Sequence, residues 1–219
     1  MKGKGKICRI DDWDKPEAVK CKSWSHQERL CDLKEKVSLH KKGDIYYISQ
    51  FARSKTGTNF SEIKQSEELA SFFAERACEF LHRFIVGGCE GWCIVTTPRR
   101  RHYEGFHFAT SICTKIAGAV KIPFYENAIQ CLTKDRLNPE FFLLRPIREK
   151  KIIVYDDILT TGSTLLATYE LLKDSEQLLF LIGINNNGRL TCIYKEKGQL
   201  FSKKYSNHKT NCRHQKTNQ

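Results

Sequence analysis

Asp156 and Asp157 are adjacent carboxylates at the end of the apolar run Ile152-Ile153-Val154-Tyr155, and Thr160-Thr161-Gly162-Ser163-Thr164 follows two residues later. Three β-branched residues in a row have the composition of a strand buried on both faces, so the acids fall where such a strand emerges. Ionised carboxylates beside a core are costly unless they have partners. The turn supplies four hydroxyls and one residue free to take positive φ. Its N–H groups, at the start of a helix, suit a phosphate, and the acids suit sugar hydroxyls or a hard cation such as Mg²⁺. Taken alone, hydroxyls ahead of a helix are most often caps. It is the acid pair beside them that points to a ligand. The G-x-x-x-x-G-K-[ST] pattern is absent, and no lysine lies within the turn.

A second cluster is cationic. Trp92-Cys93-Ile94-Val95-Thr96 reads as a buried strand and delivers Thr97-Pro98-Arg99-Arg100-Arg101. Consecutive guanidinium groups at a strand exit make a positive field with the planar fork that phosphate or pyrophosphate accepts.

These residues need elements to position them. Leu165, Leu166, Tyr169 and Leu172 mark one face of a helix over about 163–173. Ser66 offers an N-cap, with Glu67 and Glu68 in the first turn, to a long helix carrying Leu69, Phe72, Phe73, Phe80, Leu81 and Phe84. A third helix is expected over about 106–118, with Phe108, Ile112, Cys113 and Ile116 on one face. Strands are expected at 92–96, 122–124, 152–157 and 178–184, and residues 44–51 read as a further strand. Alternation of this kind gives an α/β fold, a twisted parallel sheet flanked by helices. Both singled-out loops fall at the carboxyl ends of strands, where such sheets bind ligands. Residues 125–150 show no clear periodicity and read as a long loop. The expected division is an irregular N-terminal segment (1–64), an α/β core (65–188) and a basic, flexible C-terminal tail (189–219).

The chain has 219 residues, 40% of them hydrophobic, enough to build one core. No apolar run approaches the ~18 residues of a membrane span, and no secretory leader is evident, so a cytoplasmic protein is expected. Ten scattered cysteines without C-x₂-C pairs favour reduced thiols over a disulfide framework or a structural zinc. The net charge is +12, and residues 189–219 carry eight Lys/Arg against the single acid Glu196. Such a tail attracts polyanions, so non-specific nucleic acid is one partner it allows, and a solvated tail that keeps the protein soluble is the other reading.

The stretch Val154–Thr164 resembles the 5-phosphoribosyl-1-pyrophosphate (PRPP) motif of type I phosphoribosyltransferases: an apolar strand, two acids, two apolar residues and T-T-G-x-T. The motif order, with Thr97-Pro98-Arg99-Arg100-Arg101, then Glu104-Gly105-Phe106, then Arg136-Leu137-Asn138, is similar to the ComF-type (competence-related) phosphoribosyltransferases. Two features depart from that branch: Glu104 and His107-Phe108 replace its usual R-G-[FY]-N-[QH], and its N-terminal four-cysteine zinc element is missing. The resemblance implies a hood over the acceptor site, formed by the N-terminal segment 1–64, and Mg²⁺ as cofactor, with PRPP and a nitrogen acceptor as substrates. Asp156 and Asp157 would bind the ribose hydroxyls, directly or through Mg²⁺. Thr160, Thr161, Gly162, Ser163 and Thr164 would hold the 5-phosphate, while Thr97, Pro98, Arg99 and Arg100 would meet the pyrophosphate. Arg99, Arg100, Asp156 and Asp157 are then the catalytic candidates. Threonine at 160, where 6-oxopurine enzymes of the superfamily have aspartate, argues against a hypoxanthine or guanine acceptor. A homo-oligomer is compatible with the resemblance. So are two alternatives: a non-catalytic PRPP-binding regulator and a nucleic-acid-associated factor of the DNA-uptake type.

Overall fold

In a computed structural model of the chain, the described residues are 29–34, 37–98, 105–133 and 138–186, together with the backbone of 191–196 and 199–204. The elements run in the order β1 (Leu30–Cys31), β2 (Ser38–Lys42), β3 (Ile45–Ser54), β4 (Thr58–Asn59), α1 (Phe60–Gln65), α2 (Glu67–Phe84), β5 (Trp92–Thr96), α3 (Phe108–Val120), β6 (Phe124–Tyr125), β7 (Ile129–Cys131), β8 (Phe141–Leu143), β9 (Lys151–Leu159), α4 (Ser163–Leu172), β10 (Gln177–Asn185), β11 (Thr191–Glu196) and β12 (Gln199–Lys204).

The main sheet has the strand order β12-β11-β2-β3-β10-β9-β5-β6. Its centre is parallel: β3 with β10, β10 with β9, β9 with β5, and β5 with β6. Strands β2, β11 and β12 add an antiparallel edge. Every residue of β5 is buried, and so are Ile152 to Asp156 of β9. That explains their unbroken apolar runs, since both faces of the sheet are covered.

Two cores lie on the two faces. One packs α2 and α3 on the sheet through Phe73, Ala77, Leu81, Ile112 and Ile116, against Ile94, Ile153, Tyr155 and Leu181. The other packs α4, through Leu165 and Leu172, on Val95, Ile152, Val154, Phe180 and Ile182. The aromatic stripe of α2 is thus largely core, with Phe84 left exposed at its end. The expected cap holds, with Ser66 accepting from the Leu69 N–H, and His107, not anticipated as a cap, closes α3 by accepting from the Thr110 N–H.

Three expectations about organisation change. Strand β3 lies inside the main sheet, hydrogen-bonded to β10 from Tyr47 to Ala52, so a hood ending at residue 64 would cut the core. Tyr47, Ile48 and Phe51 are buried there, and their burial ties the N-terminal segment to the α/β unit. Within 125–150, the strands β7 and β8 form a small antiparallel pair. Three-residue strands are too short to show a period in sequence. Last, residues 191–204 of the expected tail form the β11–β12 hairpin, and Cys192 pairs with His40 on β2. Residues 205–219, with the remaining basic side chains, lie outside the described residues.

Candidate functional site

The direction of the crossovers fixes where a ligand can sit. From β9 the chain passes through α4 to β10 on one side, while from β5 it passes through α3 to β6 on the other. The strand order therefore reverses between β9 and β5. Crevices at such switch points, beyond the carboxyl ends of the strands, are the usual binding sites of open α/β sheets. Thr96 pairs with Tyr155 at the last step of the β5–β9 ladder, so Thr97 and Asp156 emerge side by side at that crevice.

They are in direct contact. The Thr97 hydroxyl donates to Asp156 Oδ1 at 3.0 Å, and the Thr97 N–H donates to the Tyr155 carbonyl at 3.1 Å. Asp156 is only 8% exposed, so this partner helps offset its desolvation. Successive side chains of a strand alternate between faces, and the next carboxylate finds a different partner. Asp157 Oδ2 lies 2.7 Å from Lys64 Nζ of α1.

The hydroxyl-rich turn closes over the same edge. Gly162 takes φ +79°, the left-handed region, as the N-cap of α4, and it makes no side-chain capping bond. Glycine is the residue that adopts this conformation without steric penalty. Thr161 and Ser163 hydroxyls meet at 3.0 Å, and the Leu166 N–H donates to the Gly162 carbonyl. Lys42 of β2 reaches this turn and donates from Nζ to the Thr161 carbonyl. A Cβ at position 162 would fall on the Lys42 side chain. Burial pushes the Lys42 ammonium below its ordinary pKa.

One further residue shapes the crevice floor. Gly183 of β10 lies against β9, and a Cβ there would come within 2.7 Å of the Asp157 carbonyl oxygen and 2.8 Å of the Tyr155 hydroxyl. The close approach of β10 to the root of the acid pair thus depends on the missing side chain.

Of the sequence-derived site residues, Thr97, Pro98, Asp156, Asp157 and the turn from Thr160 to Thr164 gather at this edge. Arg99, Arg100, Arg101 and Glu104 lie outside the described residues. Lys42, Lys64 and Gly183 carried no signal in the sequence: two are lysines in polar stretches, and the third is a glycine inside an apolar strand.

Among the described residues no group of three or more His, Cys, Asp or Glu side chains could hold a metal ion, and no helix is long and apolar enough to cross a membrane. The described cysteines, Cys31, Cys78, Cys89, Cys93, Cys113 and Cys131, are free thiols.

No protein-family model matches the chain, and no curated protein sequence matches it. Solved structures do. One is a hypoxanthine-guanine phosphoribosyltransferase from Bacillus anthracis, at 17% identity over 55% of this chain and 68% of that one, with a TM-score of 0.39. Another is an adenine phosphoribosyltransferase, at 15% identity over 70% and 86%, with a TM-score of 0.42. A third is the adenine phosphoribosyltransferase from Leishmania donovani, at 12% identity over 68% and 76%, with a TM-score of 0.41.

Proposed function

We propose that the protein binds PRPP with Mg²⁺ and transfers the 5-phosphoribosyl group to a nitrogen acceptor, releasing pyrophosphate. The observation that carries this reading is the Thr97–Asp156 hydrogen bond at the switch point. It joins the root of the arginine loop to the acid pair, whose strand continues into the hydroxyl-rich turn. In this reading the loop after Thr97, the acid pair and the hydroxyl-rich turn would meet the pyrophosphate, the ribose hydroxyls and the 5-phosphate of PRPP in turn.

In this reading Asp156 and Asp157 accept hydrogen bonds from the vicinal hydroxyls of the ribose. The turn from Thr160 to Thr164 holds the 5-phosphate through N–H and hydroxyl donors, with the Lys42 ammonium beside it. Thr97, Pro98, Arg99 and Arg100 face the pyrophosphate. The C1–O bond breaks, with its electron pair leaving on the pyrophosphate. The nitrogen lone pair of the acceptor forms the new C1–N bond, and the acceptor nitrogen gives up its proton. Positive charge develops on the sugar ring on the way, as in other glycosyl transfers. Positioning and stabilisation of the leaving group supply most of the rate.

Asp156 and Asp157 are the residues to hold Mg²⁺. A pair of carboxylates suits an ion bound mainly through substrate oxygens and water. Mg²⁺ held there would supply positive charge to offset that on the leaving pyrophosphate. The experiment is a panel of nucleobases and amines incubated with Mg-PRPP and scored for pyrophosphate. Acceptor-dependent release supports transfer, whereas PRPP binding with no release from any acceptor contradicts it.

A further inference from the structure

The two acids of the proposed ribose site have different side-chain contacts. Asp156 accepts from the Thr97 hydroxyl. Asp157 faces a full charge, the Lys64 ammonium at 2.7 Å. Lys64 is launched from a fixed backbone. In α1, Phe60 and Ile63 are buried in the core, the Asn59 side chain accepts from the Ser61 N–H, and the Phe60 N–H donates to the Arg29 carbonyl at 2.9 Å. The Ser66 N–H then donates to the Ile63 carbonyl and leads directly into α2. The lysine end of the pair is open to solvent, with side-chain exposures of 45% for Lys64 and 17% for Asp157. Ion pairs with so exposed a member add little stability and part easily.

A sugar diol that uses Asp157 must share or displace that ammonium. In PRPP the 2-hydroxyl is bonded to the carbon next to C1, and C1 carries the pyrophosphate. An ammonium freed from Asp157, on a flexible four-carbon stem, is therefore left beside several negative charges. We infer that Lys64 is a leaving-group ligand: it neutralises Asp157 until the diol takes the carboxylate, then moves to the pyrophosphate. This rests on the phosphoribosyltransferase reading. It adds a cation from the N-terminal helix to the arginines at the exit of β5, and it makes the site selective for ribose phosphates that carry an anionic group at C1.

The test compares two ligands that differ at C1. PRPP and ribose 5-phosphate, each with Mg²⁺, are titrated by calorimetry into the wild-type protein and into Lys64→Ala, Lys64→Gln and Lys64→Arg, with melting curves as the folding control. The inference requires the Ala and Gln variants to lose roughly tenfold in PRPP affinity. Their ribose 5-phosphate affinity stays unchanged or improves, because Asp157 no longer has a competing partner. Lys64→Arg retains PRPP binding. Equal losses for both ligands would reduce Lys64 to a structural ion pair and overturn the inference, as would no loss for either. If the wild-type protein binds neither ligand, the phosphoribosyltransferase reading itself falls.

Discussion

Thr97 and Asp156 are 59 residues apart and share a 3.0 Å hydrogen bond across the point where the strand order reverses. The bond holds the nearly buried carboxylate in one orientation at the mouth of the crevice. Thr97→Val keeps the shape of the side chain and removes the donor. It should weaken PRPP binding about fivefold, the worth of a neutral hydrogen bond of ~1 kcal/mol, while Thr97→Ser retains affinity. Calorimetry on both variants checks this, and equal affinities would show that the hydroxyl does not orient Asp156.

Gly183→Ala should damage both fold and site. The added Cβ would meet the Asp157 carbonyl oxygen and the Tyr155 hydroxyl, and neither can retreat, because both belong to the buried ladder of β9. Overpacking of this kind costs about 1–3 kcal/mol, which should lower Tm by roughly 3–10 °C. Gly118→Ala is the control. It lies in α3 with nothing within 4 Å of its Cβ position, and it should leave Tm unchanged or raise it slightly. Thermal melts that move equally for the two variants would contradict the close approach at Gly183.

Lys42 predicts a separate effect at the phosphate end. Its ammonium donates to the Thr161 carbonyl, so Lys42→Ala should weaken ribose 5-phosphate on the order of tenfold, the loss of one charged partner. Gly162→Ala should do at least as much, because the alanine would have to hold φ +79° and would press on the lysine stem. Titration of ribose 5-phosphate into both variants measures this. Undiminished affinity in Lys42→Ala would leave the turn to bind phosphate through its own donors.

His40 should make the fold acid-sensitive. It is buried against Tyr47, with Nε2 at 2.7 Å from Ser49 Oγ. Burial lowers its pKa from 6.5 to about 4. The unfolded chain therefore takes up a proton near pH 6.5 that the folded protein refuses until about pH 4. This contribution is fully present above pH 6.5 and is lost as pH falls through that window, amounting to roughly 3 kcal/mol. Denaturant midpoints measured from pH 7 to 4 should fall more steeply for the wild type than for His40→Gln. Parallel slopes would show that His40 titrates normally.

The central part of this architecture was legible in the sequence for a definite reason. Strands β5, β9 and β10 are buried on both faces, so their apolar runs are unbroken, and the acid pair and turn stand out against them. The helices α2, α3 and α4 show their inward faces at helical spacing. The rest has no periodic signature. Residues 44–51 read as a strand, but Tyr46, Ser49 and Gln50 interrupt its apolar residues, and only the pairing of β3 with β10 places it in the core. Lys42 and Lys64 reach the crevice from β2 and from a six-residue helix, and nothing local distinguishes them from solvated lysines. Gly183 matters through the atoms of a neighbouring strand, 26 residues away at Asp157, which no window of sequence contains.

Calorimetric titration of Mg-PRPP into the wild-type protein, Asp156→Asn and Asp157→Asn tests the account at its centre. Each substitution preserves size and removes the charge of one diol acceptor, and should cost about 1.5–3 kcal/mol, or roughly tenfold to a hundredfold in affinity. Saturable binding by the wild type that weakens by this much in both variants is the predicted result. Binding that is undiminished in both, or absent from a folded wild-type protein, would contradict the assignment of this crevice to PRPP.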